Sequence, residues 1–210
     1  MPSITRRRSG GADRRLTVEA RILATAERLL SEGETFTEMG VQRLAREAGV
    51  ARSTFYTHFA DKSQLLMRLA GSFSAESFEV AAAWEPGGPD AFEGLVETFR
   101  QIIAVYRRHA AVLAAITEVS AYDPMIRRFW HARVDQFAAR TEELLIAEQR
   151  AGRAPADLDP VIASRLIVVG GERFVADHVT SDDGSGDETA ARELAATWWY
   201  GVYRRPTPKP

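Results

Sequence analysis

The chain contains no cysteine, which excludes a disulfide framework and thiolate chemistry and suits a reducing cytosol. No apolar run approaches the roughly 18–20 residues of a membrane span, so no membrane partner is expected. The arginine-rich start is not followed by the apolar stretch that a signal peptide needs, and a cytoplasmic setting is the expectation. Signs of catalysis are missing as well. His58, His109, His131 and His178 are scattered, with no His-Glu-x-x-His spacing. There is no G-x-S-x-G, and Gly184-Ser185-Gly186 has neither a preceding strand nor a following Gly-Lys. No catalytic residue, metal ligand, cofactor or enzymatic activity is therefore expected. No alternating strand pattern of useful length appears either.

What remains is an ordinary globular composition: 210 residues, 45% hydrophobic and 27% charged, with a net charge of −2. The charge is unevenly placed. Residues 1–68 carry 12 Lys and Arg against 8 Asp and Glu, a net of +4; the rest carry 15 against 21, a net of −6. A basic front on an acidic body suits one end meeting a polyanion.

Helical periodicity runs through nearly the whole chain. Residues 1–15, with five arginines and two adjacent glycines, read as a disordered basic arm. Val18 to Leu30 form a first helix, closed by Gly33. A second spans about Glu38 to Ala48, with Thr37 as its N-cap, and a third covers 51–58. Asp61 and Gln64 form a capping box at the start of a fourth that runs towards Trp84. The Glu85-Pro-Gly-Gly-Pro89 stretch is the clearest internal linker. Helices follow over 90–107 and 110–120, then two that open on Asp123-Pro124 and Asp159-Pro160, where proline at the first helical position loses nothing. A last helix carries Leu194, Trp198, Trp199 and Val202 after an acidic glycine-serine loop at 181–188. The fold class is all-α, with about nine helices: an N-terminal three-helix unit over 16–61 and a helical bundle over 62–210.

The segment from Phe36 to Leu66 holds the most specific chemistry. Leu44, Ala45, Val50, Phe55 and Phe59 are core positions that set two short helices at a fixed angle, and Gly49 supplies the turn between them. Arg52, Ser53, Thr54 and Thr57 point outward on a helix too short to have a core of its own. Hydroxyls meet phosphates or base edges, and an arginine bonds guanine bidentately. Tyr56 and His58 offer donors to phosphate oxygens. Lys62 lies in the first turn of the fourth helix, against the helix dipole, a misfit that a bound phosphate would remove. This is the layout of a helix-turn-helix that enters a DNA major groove.

Thr37, Val41, Leu44, Ala45, Ala48, Gly49, Val50, Phe55, Tyr56, His58, Phe59, Lys62 and Leu65 stand in register with the DNA-binding pattern of the TetR/AcrR transcriptional regulators, and the segment over about residues 20–70 resembles that family. One departure is Ala51, where the family often places a capping Ser or Thr, a loss of about 1 kcal/mol. The resemblance implies that Thr37, Arg52, Ser53, Thr54, Tyr56, Thr57, His58 and Lys62 contact a double-stranded operator. The remainder is similar to the subgroup of the ethionamide-activation repressor, through the RILATAERLL, STFYTHF and GERFVADHV runs, the Trp130/Phe137 pair and the Trp199–Tyr203 ending. That similarity implies an apolar tunnel for a small hydrophobic ligand, lined by Leu95, Phe99, Ile102, Ile103, Tyr106, Trp130, Val134, Phe137 and Trp199. The subgroup's two tunnel asparagines fall on Val168 and Gly171 here, so those polar anchors are replaced. Thr117, Glu118, Tyr122 and Glu172 are polar candidates near the aromatics. Gly170-Gly171 either lets another helix approach or opens space for a ligand.

Ile162, Leu166, Val169, Phe174 and Val175, with Leu194, Trp198 and Val202, offer more apolar surface than one face needs, and in the family the last two helices pair with their copies, which implies a homodimer. Two recognition helices about 34–36 Å apart would then enter successive major grooves. The expected function is a ligand-responsive repressor. The alternatives left open are a ligand-independent activator or architectural DNA binder, and a carrier of hydrophobic ligands.

Overall fold

The periodic segments resolve into nine α-helices in a computed structural model that describes residues 9–205, with side chains from Thr17 onward. They are α1 (Ser9–Ser31), α2 (Val41–Glu47), α3 (Arg52–His58), α4 (Lys62–Ala82), α5 (Ala91–Arg108), α6 (Ala110–Ser120), α7 (Pro124–Arg150), α8 (Pro160–Ser181) and α9 (Asp187–Trp198). A π-helical turn, Trp199–Tyr203, continues α9. No strand occurs among the described residues.

Two boundaries differ from the sequence reading. Residues 1–8 of the expected arm lie outside the described residues, but from Ser9 the chain is helical rather than disordered. No proline follows Pro2 in this stretch, so a helix anchored at Ile22 propagates backwards one hydrogen bond per residue. The second helix starts at Val41, not Glu38, and its N-cap is Gly40, not Thr37. Burial of both Phe36 and Met39 draws residues 36–39 into a turn of their own, closed by Met39 N–H to the Thr35 carbonyl (3.1 Å).

The expected caps are present. Asp61 accepts from Gln64 N–H (2.7 Å), and the Gln64 amide oxygen takes the N–H of Ala60 (2.6 Å). Asp123 accepts from Met125 and Ile126, and Asp159 from Ile162. At Ala51 there is no side-chain cap; its carbonyl takes the N–H groups of Thr54 and Phe55 instead.

The first three helices close around Ile22, Leu29, Met39, Leu44, Phe55 and Phe59, all nearly inaccessible. α4 runs from this head into the bundle, packing on α5 and α7; α7 lies along α8, and α5 along α9. The Glu85–Pro89 stretch is tied down rather than a free linker. Trp84 Nε1 donates to the Ala91 carbonyl (2.9 Å), and Arg204 donates to that of Pro86 (3.0 Å). Arg204 also pairs with the buried Glu148 (2.9 Å) and lies over the Trp199 ring (4.3 Å), so the chain end clamps the bundle shut.

Candidate nucleic-acid interface and effector cavity

Gly49, at φ +65°, takes the left-handed turn between α2 and α3 without steric cost. The turn fixes α3 on the surface of the head. Seven residues give fewer than two helical turns, so only Phe55 can face inward while Phe59 caps the end. Arg52, Ser53, Tyr56 and Thr57 are exposed on the outer face. Arg52 reaches over the Tyr56 ring (5.7 Å to its centre), with its Nη2 3.5 Å from the phenol oxygen, a loose contact that a stronger acceptor displaces. Thr57 donates to the Ser53 carbonyl (3.1 Å).

Helical phase divides the remaining candidates. Thr54 and His58, four residues apart, share a half-buried face, and His58 lines a groove with Leu23, Gln64 and Met67 between α1 and α4. Two further residues expected at DNA, Lys62 and Thr37, have partners within the chain. Lys62 Nζ donates to the carbonyls of Phe36 (2.7 Å) and Thr37 (3.0 Å) and lies 4.9 Å over the Phe36 ring. Those carbonyls partner the lysine at the helix N-terminus. Burial lowers the Lys62 pKa, and the nearby Glu118 carboxylate opposes that shift. Thr37 hydrogen-bonds Glu118 through its hydroxyl, donates its N–H to the same carboxylate (3.3 Å) and meets the Tyr122 hydroxyl (2.7 Å). Ser63 donates to Asp123 (2.8 Å) beside it. Glu118 and Tyr122 thus belong to a polar joint between the head and the α6–α7 corner rather than to a ligand pocket.

The bundle encloses a cavity between α4, α5, α7, α8 and α9. The cavity is narrow, with a volume of about 80 Å³. Leu95, Phe99, Ile102, Tyr106, Trp130, Val134, Phe137, Val168 and Gly171 line it, as the resemblance implied. Ile103 and Trp199 do not. Ile103 sits 100° round α5 from Ile102 and is fully buried in the core. Trp199 turns away to Phe92 (6.2 Å) and Tyr203 (6.3 Å), and Trp198 takes the wall position, edge-on to Phe99 at 4.9 Å. Gly171 is what admits Trp198: a Cβ there would meet its ring at 3.3 Å.

The sequence reading missed Ser74 and Phe78 of α4, Thr141 and Leu144 of α7, and Tyr203. The helical spacing of each pair, i, i+4 in α4 and i, i+3 in α7, was the available signal. Glu172 does face the cavity and accepts from Trp130 Nε1 (3.3 Å). Burial raises the Glu172 pKa, and the Trp130 bond only partly offsets this. Burial also raises the Tyr106 phenol, with the Glu172 charge adding to it.

A chain of contacts leaves this cavity. Phe73 touches Tyr106 and Trp130 (5.5 Å each) and stacks on His109 (5.6 Å), whose Nδ1 lies 2.5 Å from Glu27 of α1. Elsewhere His178, Asp182 and Asp187 converge within 4.8 Å, a grouping not foreseen from spacing. The Arg107 guanidinium already fills it, bonding both carboxylate oxygens of Asp187 and the Asp182 carbonyl (2.7 Å), and holds the Asp187 carboxyl below its usual range.

Residues 22–69 match the model of bacterial regulatory proteins of the tetR family, and residues 95–204 match that of the C-terminal domain of the transcriptional regulator EthR. The chain belongs to the TetR family. It is 30% identical over 201 residues to the HTH-type transcriptional regulator EthR of Mycolicibacterium smegmatis, across 93% of this chain and 89% of that protein. The Mycobacterium tuberculosis EthR is 29% identical over 153 residues, 72% of this chain and 68% of its own length. Among solved structures, Salmonella enterica GusR superposes with a TM-score of 0.73 at 18% identity, over 90% of this chain and 96% of its own. NalD, the secondary repressor of the MexAB-OprM multidrug efflux pump in Pseudomonas aeruginosa, gives 0.72 at 19%, over 91% and 100%. These likenesses make the chain a TetR-type transcriptional regulator with an EthR-like effector domain; the relatives named are regulators, not enzymes.

Proposed function

We propose that this regulator is a homodimeric repressor, released from its operator by a small apolar molecule that enters the bundle cavity. The observation that carries the reading is contiguity. Phe73 joins two cavity-wall rings to His109, and His109 joins Glu27 on the helix that braces the DNA-reading head. A ligand that repacks Tyr106 or Trp130 changes what Phe73 and α4 can do, and the head's angle with it. The effect is a population shift, no larger than the ligand's differential affinity for the two arrangements.

Arg52, Ser53, Tyr56 and Thr57 form the surface offered to the operator; Thr37 and Lys62 hold the head to α6 and α4. Val161, Ile162, Leu166, Val169 and Phe174 on α8, with Tyr200, are large apolar side chains left 45% or more exposed in a single copy (Leu166 at 71%). They support pairing through α8 and α9, which would set two α3 helices at operator spacing.

Reciprocal linkage tests the reading. An operator selected from random duplex DNA is titrated with and without a saturating apolar probe, and the probe with and without the operator. The two affinity changes should agree, at about 5–150-fold. A ligand carrier with an idle head would give ligand affinity indifferent to DNA, and that result would refute the proposal.

A further inference from the structure

The cavity wall is mostly apolar, with Ser74, Thr98, Arg133, Arg140 and Thr141 at its edges, and it carries a single carboxylate. Glu172 follows Gly171 on α8, and its carboxylate faces the void among aromatic rings. Its hydrogen bond is a single one, from Trp130 Nε1 at 3.3 Å, and it makes no ion pair among the described residues. A carboxylate offers about four acceptor sites, so most of this one's capacity is unused. Glu172 is half-buried, and the nearby Arg173 and His131 only partly offset the cost its burial sets on a charge, so a cationic group in the cavity would gain a counter-ion here.

We propose that the effector is a cationic amphiphile, an alkyl chain bearing an ammonium group, with Glu172 as its counter-ion and the Trp130 and Tyr106 rings flanking its head. The assignment deepens the effector reading of this cavity and rests on it. Ammonium groups are held by ring faces together with an opposed carboxylate, and both are here on adjoining helices. The narrowness of the void suits a slender chain rather than a bulky ring system. The two arginines at the wall do not compete as anion receptors: Arg140 is paired with Glu85 (2.8 Å), and Arg133 lies 5.0 Å over Phe129. The raised pKa of Glu172 agrees with a site that ionises fully only once a cation arrives.

Three probes of equal chain length test the proposal: decyltrimethylammonium, decanol and decanoate, each below its micelle concentration. Binding is read from indole emission, since Trp130 and Trp198 line the cavity, and checked by calorimetry. In the unaltered protein the ammonium probe should bind at least about tenfold more tightly than decanol. Glu172→Gln keeps an acceptor for Trp130, so it should preserve folding and the decanol affinity while removing that preference. If decanol or decanoate binds as tightly as the ammonium probe, or if Glu172→Gln leaves the preference intact, the counter-ion role is wrong and the effector cavity still stands. If none of the three binds, the effector reading fails with it.

Discussion

The two ends of α4 lie in opposite kinds of core. At its N-terminal end the head is filled: Ile22, Leu29, Leu44 and Phe55 are at most 1% exposed. Towards its C-terminal end, Ser74 and Phe78 border a cavity of about 80 Å³. A tightly filled head is a rigid body, fit to hold four side chains in a groove's geometry. An underfilled bundle has alternative packings within reach, as a sensor requires. Rigidity and slack are thus divided between the ends of one helix, and the joints between them (Thr37 with Glu118, Glu27 with His109) are polar and therefore geometrically specific.

The same substitution made in both cores gives the largest expected effect. Phe55→Ala should cost about 3–5 kcal/mol, because the head has no free volume to redistribute and α3 loses its one buried anchor. Phe99→Ala removes an equally large ring, but from a wall that already borders a void and that Trp198 can move to fill; its loss should be smaller by at least about 1 kcal/mol. Equal losses in chemical denaturation would mean that the cavity wall is as tightly packed as the head.

What the sequence made legible follows the same division. The α2–turn–α3 unit was readable because its determinants are neighbours in the chain: an apolar face repeating within seven residues, and a glycine where a positive φ is needed. What it could not show were partners far away in sequence. Nothing near Lys62 announces that the Phe36 and Thr37 carbonyls will take its ammonium, nor near Thr37 that Glu118 will. In the bundle, amphipathicity says which residues turn inward but not whether inward means core or cavity. Ile102 and Ile103 differ by 100° on one helix, and only the placement of α7 and α9 separates wall from filling. Trp198 and Trp199 were exchanged for the same reason, with the π-helical turn after Trp198 altering the phase.

Within the head, Lys62 and Arg52 separate holding from reading. Lys62→Met deletes two hydrogen bonds from a charged donor to backbone carbonyls, and should lower stability by about 1–3 kcal/mol while leaving the salt dependence of operator binding unchanged. Arg52→Ala should change stability by less than about 0.5 kcal/mol, yet weaken operator binding by about 1–3 kcal/mol. A flatter salt slope in Lys62→Met would return that residue to the phosphate backbone.

The smallest effects are expected at Gly170 and Gly171, adjacent in sequence and opposite in role. Gly171 faces Trp198, and a methyl there presses on that ring at 3.3 Å. Gly170 meets nothing within 4 Å and is exposed in line with Ile162, Leu166 and Phe174, each four residues from the next along α8. Replacing a helical glycine by alanine gains about 0.5–1 kcal/mol of intrinsic propensity. At Gly171 the strained contact should consume that gain, leaving stability nearly unchanged but narrowing the cavity and weakening the binding of an alkyl probe. At Gly170 the whole gain should appear in the thermal stability of a single copy, while a seam that brings two α8 helices close would lose affinity for the added methyl. Sedimentation of the two variants tells them apart: a dimer weakened by Gly170→Ala and not by Gly171→Ala puts the subunit seam on the outer face of α8, and the reverse pattern would move it to another face of the bundle.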